Sequence, residues 1–255
     1  MSVKGIIMAG GLGTRFKPLT EYFQKCMIPI GETQKPILEY IVRLYGRHGV
    51  NDLVLLVGYK HQQIENYFDR GERFDVSMKY VLDDPKLKGS ANALLNAYRQ
   101  GAVRKEDTLI VYYGDIVSNI NLQEMLRFHR EQGAAATVAL APSFVVNVGV
   151  AGLEGPWIKS FKEKPLLPSA VSIGVLILDG SVLETMEALH SQGDFASFDI
   201  MGDVVQYMVG KGDRVAGYIT DAFWYDVGSI ERFERLSNER ISEELGFLLR
   251  PSDPS

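Results

Sequence analysis

Four short apolar runs, VKGIIM, DLVLLV, VSMKYVL and DTLIVYY, recur through the first half of the chain with helix-patterned segments between them. Each run has the length of a strand and is apolar at successive positions, the pattern of strands covered on both faces in a parallel sheet. Between the first two, Ile37, Leu38, Ile41, Leu44 and Tyr45 form one apolar helical stripe, and Pro36 suits a first helical turn. Segments 62–70 and 90–100 read as the next two helices, with Ser90 as an N-cap. This succession of β-α units predicts an α/β fold, a Rossmann-like and mostly parallel sheet flanked by helices. The rhythm then changes. ATVALAP, NVGVAGL, WIKSFKEKP and VSIGVLILD follow closely, without long helices between them, which predicts a smaller antiparallel portion in the second half. Helical segments at 182–190 and 199–209, a strand RVAGYI and a helix over 229–244 come next, and LLRPSDPS reads as a frayed end.

Composition narrows the classes of function. At 255 residues and 46% hydrophobic content, the chain can bury a substantial core. No run approaches the roughly 18 apolar residues of a membrane span, and no secretory leader pattern opens the sequence. A single cysteine, Cys26, excludes an internal disulfide framework, and the four histidines lack zinc spacing. A cytoplasmic setting without membrane association is the expectation. The net charge of −5, with no basic stripe, argues against a nucleic-acid partner. An anionic ligand would need local cations. Homo-oligomerisation is compatible with the sequence but not read from it.

The first strand runs into MAGGLGTRFKPLT. A dinucleotide fingerprint requires a third glycine where this chain has Phe16, and an acid about twenty positions on, where it has Gly58-Tyr59-Lys60. No Gly-Lys-Ser/Thr closes the loop as a phosphate-binding loop of the NTPase type would. What is left is a flexible loop at the ligand edge of the sheet. Its glycines bring backbone N–H groups near phosphate oxygens, and Arg15 can bind two such oxygens at once. The competing explanation is an ordinary glycine-rich turn with a solvated arginine.

The segment GGLGTRFKPLT, followed by QKCMIPIG and KPILEY, resembles the signature of the sugar-1-phosphate nucleotidyltransferases, the nucleoside-diphosphate-sugar pyrophosphorylases. The resemblance continues in order through LKGSANAL, YYGD, FKEKP and WYDVGSIERF, and covers residues 3–238. It implies one nucleotidyltransferase domain over 1–240, with a nucleotide-binding half to about residue 118, a sugar-phosphate half after it, and a tail over 241–255. The implied reaction joins a nucleoside triphosphate to a sugar 1-phosphate with release of pyrophosphate. A phosphate monoester is largely dianionic at neutral pH, so the nucleophile needs no general base. Alignment of two polyanions and neutralisation of the leaving group are the obstacles.

By this resemblance Arg15 grips the triphosphate, and Lys25 contacts phosphates of both reactants. Asp115 and Asp226 hold Mg²⁺, a hard cation suited to carboxylates from distant strands with substrate phosphates completing its shell. Gly10, Gly11, Gly13 and Thr14 line the nucleotide, and Gly89 lies along the base. Gly149, Glu163, Lys164 and Ser172 face the sugar phosphate. Plainer roles compete at each place: a surface lysine at Lys25, a turn or cap residue at Asp115, a solvated charge run at FKEKP. Gln24 and Cys26 replace prolines that commonly flank the lysine, so a less preorganised loop is expected there. Cys26 has no partner base in the sequence and reads as a packing residue.

Asp84 falls where pyrimidine-specific relatives carry a glutamine. A carboxylate only accepts hydrogen bonds, and guanine offers two adjacent N–H donors. This leans toward GTP with mannose 1-phosphate or a related manno-configured sugar, though Asp84 before Pro85 also reads as a turn residue. The alternatives are glucose-1-phosphate thymidylyl or uridylyl transfer, cytidylyl transfer to phosphocholine, and a catalytically silent homologue that binds nucleotide-sugars.

Overall fold

The computed structural model describes residues 2–146, 148–193 and 195–250. Seven strands form the central sheet: β1 Val3–Ala9, β2 Asp52–Val57, β3 Ser77–Leu82, β4 Thr108–Tyr113, β5 Ala136–Ala141, β6 Val171–Asp179 and β7 Val215–Ile219. Their spatial order is β7-β5-β6-β4-β1-β2-β3. Strand β1 pairs in parallel with β2 and β4, and β3 extends the sheet in parallel from β2. Strand β6 alone runs antiparallel to both of its neighbours. The sheet is therefore mixed and mostly parallel, as the alternation of apolar runs predicts.

Alternate residues of these strands feed two apolar layers. Ile7, Leu53, Leu55 and Tyr112 pack on one face, against α1 Ile37–Arg47 and α2 His61–Phe68. Ile6, Val54, Leu56 and Val111 pack on the other, against α3 Ser90–Arg99 and, farther along, α5 Val182–Gln192. Between them in sequence, α4 Leu122–Gln132 is a helix that the reading of the second half misses. Only Leu122, Met125 and His129 of α4 are buried, so its apolar stripe is thin. Its start is marked by Asn121, whose side chain accepts from the N–H groups of Gln123 and Glu124.

Between β5 and β6 the chain leaves the sheet as an exposed arm. Gly149–Glu154 and Trp157–Glu163 pair antiparallel, and Phe144–Val145 pairs with Leu166–Leu167 at the base. This is the small antiparallel portion anticipated from the sequence. Trp224–Asp226 pairs with Ile116–Ser118 just beyond the carboxyl end of β4.

The carboxyl-terminal region departs from expectation. Segment 199–209 is a π-helical stretch, Ile200–Val205, that runs into α6 Gln206–Lys211. The single helix expected over 229–244 is two, α7 Ile230–Glu234 and α8 Asn238–Leu245, because Ser237 caps a fresh helix through the N–H of Arg240. The residues from 241 onward are not a tail as far as they are described: Ile241, Leu245 and Leu248 are buried in the core beside α1. Residues 251–255 lie outside the described residues. Leu245→Ala is expected to cost about 3 kcal/mol by the usual scale for buried leucines, measured by urea unfolding; a change under about 0.5 kcal/mol would return this segment to the status of a tail.

Candidate active site

The carboxyl ends of β1, β2, β3 and β4 form one edge of the sheet, where open α/β sheets bind ligands. The glycine-rich loop leaves β1 here and turns once at Thr14–Phe16. Phe16 is completely buried, while Thr14 and Arg15 on either side of it are exposed. The Phe16 ring packs edge-on to Phe233 of α7 at 6.1 Å, and Lys25 Nζ lies 5.4 Å from its centroid. One aromatic anchor thus joins the arginine turn, the lysine loop and the carboxyl-terminal motif.

Lys25 is 9% exposed, a rare degree of burial for a lysine unless it is paired. Its Nζ is hydrogen-bonded to Asp115 Oδ2. Asp115 follows Gly114, whose N–H is held on the Met8 carbonyl at 3.0 Å, so β1 and β4 jointly place the carboxylate. The Asp115 carbonyl accepts from Val227 N–H at 2.8 Å, and Asp226 stands opposite Ile116 in the short antiparallel pair. Residues more than a hundred positions apart therefore meet at one place. Asp226 is itself ion-paired with Arg232 of α7.

Asp115, Asp226 and Arg232 line a cleft of about 540 Å³, together with Ser172, Tyr113 and Asp199. Ser172 reaches it because the pairing of β6 with β5 slips between Ser172 and Leu176. Gly149 and Glu163 face one another in the arm, and Lys164 follows with φ of 47°, a left-handed conformation uncommon for a side-chain-bearing residue. These three stand on the exposed arm, outside the residues that line the cleft.

The loop around Lys25 is more constrained than its missing prolines imply. Gln24 is fully buried, its Nε2 donates to the Ala9 carbonyl at 2.7 Å, and its Oε1 accepts from Cys26 N–H at 2.5 Å. Its own N–H donates to Gln63 Oε1 of α2 at 2.7 Å. Hydrogen bonds to the end of β1, within the turn and to α2 substitute for the restriction a proline ring would impose. Burial pushes the Cys26 thiol up to about 12, which leaves it protonated and unfit as a nucleophile.

Asp84 and Asp83 exchange importance. Asp84 is exposed, and its Oδ1 accepts from Lys86 N–H at 2.9 Å in a local turn. Asp83, which the sequence did not single out, lies under the glycine-rich loop. A methyl group on Gly10 would stand 1.7 Å from its Oδ2, and one on Gly58 would stand 3.2 Å away. Glycine at position 10 leaves room for that carboxylate. Asp83 Oδ1 is buried without a hydrogen-bond partner among the described residues, and burial raises its pKa from 3.8 to about 6. Gly89 has φ of 101° and sits on the Phe198 carbonyl, where any side chain would collide. Gly89, not Ser90, occupies the N-cap of α3. Ser90 Oγ instead joins Asp199 Oδ1, Ile200 N–H and Tyr113 Oη, which ties α3 to the wall of the cleft. Asp83, Asp199 and Arg232 carried no signal in the sequence strong enough to distinguish them from solvated polar residues, and Gln24 stood out only as the replacement of a proline.

A sheet edge with a glycine-rich loop, one nearly buried lysine and converging carboxylates defines a protein of the phosphate-handling α/β class. Among the described residues no three or more histidine, cysteine or acidic side chains stand close enough to hold a metal ion by themselves, and no helix is long and apolar enough to cross a membrane. The chain belongs to the nucleotidyl transferase family, whose pattern it matches over residues 4–243. It is 28% identical to a UTP–glucose-1-phosphate uridylyltransferase of Synechocystis, aligned over 95% of this chain and 64% of that protein. The chain thus spans less than two thirds of that relative. It is also 28% identical to a D-glycero-α-D-manno-heptose 1-phosphate guanylyltransferase of Aneurinibacillus thermoaerophilus, over 93% of this chain and 98% of that one. A Bacillus anthracis structure described as a glucose-1-phosphate thymidylyltransferase shares the fold, with a TM-score of 0.73, 22% identity, and coverage of 100% of this chain and 98% of the other.

Gln24→Leu, which removes both side-chain hydrogen bonds and leaves two backbone groups unpartnered, is expected to destabilise the protein by about 2 to 4 kcal/mol, read by chemical denaturation. The raised pKa of Asp83 means that the native protein holds this proton more tightly than the unfolded chain does. Stability should therefore fall as pH rises from about 4 through 6. In Asp83→Asn that decline should flatten, with a gain of about 1 kcal/mol at pH 8 after allowance for partial exposure; an unaltered slope in pH-dependent unfolding would reject the assignment.

Proposed function

We propose that this protein transfers a nucleotidyl group from a nucleoside triphosphate to a sugar 1-phosphate, forming a nucleoside-diphosphate sugar and pyrophosphate. The observation that carries this reading is the meeting of Lys25, Asp115 and Asp226 at the carboxyl edge of the sheet, with Arg15 one residue from the Phe16 anchor under Lys25. The sugar-phosphate oxygen attacks the α-phosphorus in line with the departing pyrophosphate. Its phosphate is mostly dianionic near neutrality, so no side chain has to remove a proton. Lys25 neutralises the approaching phosphates and draws them together, and Asp115 holds its ammonium group in place. Arg15 receives charge that develops on pyrophosphate, its planar fork matched to two phosphate oxygens.

Asp115 and Asp226 fit a divalent cation of the magnesium type, since two carboxylates with substrate phosphates form the usual oxygen shell of such an ion. When bound it supplies Lewis-acid stabilisation of the phosphoryl oxygens. The backbone of the loop over Gly10, Gly11, Gly13 and Thr14 faces the triphosphate, and Gly89 borders the base. Gly149, Glu163 and Lys164 of the arm, with Ser172 of the cleft, are assigned to the sugar phosphate.

For the base, we retain guanine with a manno-configured acceptor. Support comes from Asp84, an acceptor-only carboxylate standing where a pyrimidine would need a donor, and from alignment with the heptose 1-phosphate guanylyltransferase along 98% of its length. A matrix of four nucleoside triphosphates against glucose, mannose and heptose 1-phosphates, scored by pyrophosphate release with Mg²⁺, tests both levels. The highest activity is expected with GTP and a manno-configured phosphate. Preference for UTP or dTTP would replace the base assignment, and binding without turnover anywhere in the matrix would make the protein a nucleotide-sugar binder. Asp115→Asn is expected to lower turnover by about 10²- to 10³-fold with an unchanged circular dichroism spectrum, on the scale of losing one electrostatic contact to the transition state.

A further inference from the structure

The cleft wall carries three carboxylates, Asp115, Asp199 and Asp226, and among the described residues one basic side chain, Arg232. A polyanionic substrate entering such a cleft meets net repulsion unless cations compensate for it. Lys25 answers Asp115, and the Ser90 N–H and hydroxyl groups answer Asp199. Arg232 is spent on Asp226. Arg232 holds Asp226 Oδ2, so a divalent cation that takes this oxygen competes with Arg232 for it.

The surroundings of Arg232 allow that exchange. Its backbone is fixed at both polar groups: the N–H donates to Ser229 Oγ at 3.4 Å, and the carbonyl accepts from Tyr225 Oη at 2.6 Å. The next residue, Phe233, is packed on Phe16. Only the side chain remains to move. The pair is half open to solvent, with side-chain exposures of 46% for Arg232 and 30% for Asp226, and pairs of this kind contribute little to stability. The guanidinium therefore separates from Asp226 at low cost, and its fork suits two phosphate oxygens in a way that a lysine ammonium does not.

We propose that Arg232 is a phosphate-binding residue of the cleft. It neutralises Asp226 in the empty protein and passes to a substrate phosphoryl group when a divalent cation takes that carboxylate. The proposal rests on the nucleotidyl-transfer reading of the same site. It adds a cation exchange: the carboxylate trades one positive partner for another, and the first partner becomes available for the incoming anion.

The test separates the two readings. Mn²⁺ alone is titrated into the substrate-free protein by electron paramagnetic resonance, for the native chain, Arg232→Gln and Arg232→Lys. Loss of the competing guanidinium should tighten Mn²⁺ binding at least threefold in Arg232→Gln and leave Arg232→Lys between the two. Steady-state kinetics with the most active substrate pair should then show at least a tenfold rise in one Michaelis constant in Arg232→Gln. A rise for the sugar 1-phosphate assigns Arg232 to the acceptor phosphate, and a rise for the nucleoside triphosphate assigns it to the donor. Unchanged or weaker Mn²⁺ binding in Arg232→Gln, with a native circular dichroism spectrum, overturns the exchange, as do two Michaelis constants that stay within twofold. Should no substrate pair turn over, the transferase reading fails, while the Mn²⁺ titration still decides whether Arg232 and a cation compete for Asp226.

Discussion

The pairing of Lys25 with Asp115 governs how this molecule is assembled around its cleft. A lysine 9% exposed is costly to bury without a partner, and its partner comes from the end of a different strand. The pair ties the loop after β1 to the turn after β4. The Asp115 backbone then carries Val227, and with it Asp226 and α7. Phe16 completes the circuit by packing against both Lys25 and Phe233. Charge neutralisation and aromatic packing thus hold three distant segments to one another before any ligand arrives. Such an arrangement has its lysine oriented in advance, the condition under which electrostatic stabilisation costs little reorganisation.

The protein reaches that order by a route its sequence obscures. Proline restricts a loop through its ring, and a reader who finds Gln24 in its place expects slack. The structure shows a side chain that spends its carbonyl and its amide on neighbouring backbone, one bond within its own turn and one to Ala9 at the end of β1. Because Gln24 is fully buried, water does not compete for these bonds. The same closure keeps Cys26 protonated. Rigidity has been moved from the backbone to a side chain.

What could be seen in advance follows from how strongly each feature patterns the chain. The strands β1 to β4 declare themselves because burial on both faces leaves an unbroken apolar run. The helix α4 does not, since three buried positions out of eleven make a faint stripe in the polar segment LQEMLRFHREQ. The buried carboxyl-terminal residues were concealed by the polar run Ser242-Glu243-Glu244 between Ile241 and Leu245. For the site, motifs in order identified Lys25, Asp115 and Asp226 as candidates, and the fold brings these three together. It places Glu163 and Lys164 on an arm outside the cleft lining. Asp83 and Asp84 are adjacent in sequence, and only the conformation at the end of β3 decides which of them lies under Gly10. No residue pattern encodes that difference, because it depends on which way one peptide turns.

The lone antiparallel strand has a consequence for how such a protein changes. Since β6 runs opposite to β4 and β5, its amino end and the carboxyl end of β5 emerge on the same edge of the sheet. The excursion from 142 to 170 therefore departs from and returns to one rim. Lengthening, trimming or exchanging it would leave every strand register behind it untouched. Divergence in this lineage can accordingly be modular: the arm is free to drift as a cassette, while the loops that carry Lys25 and Asp115 stay locked to the sheet.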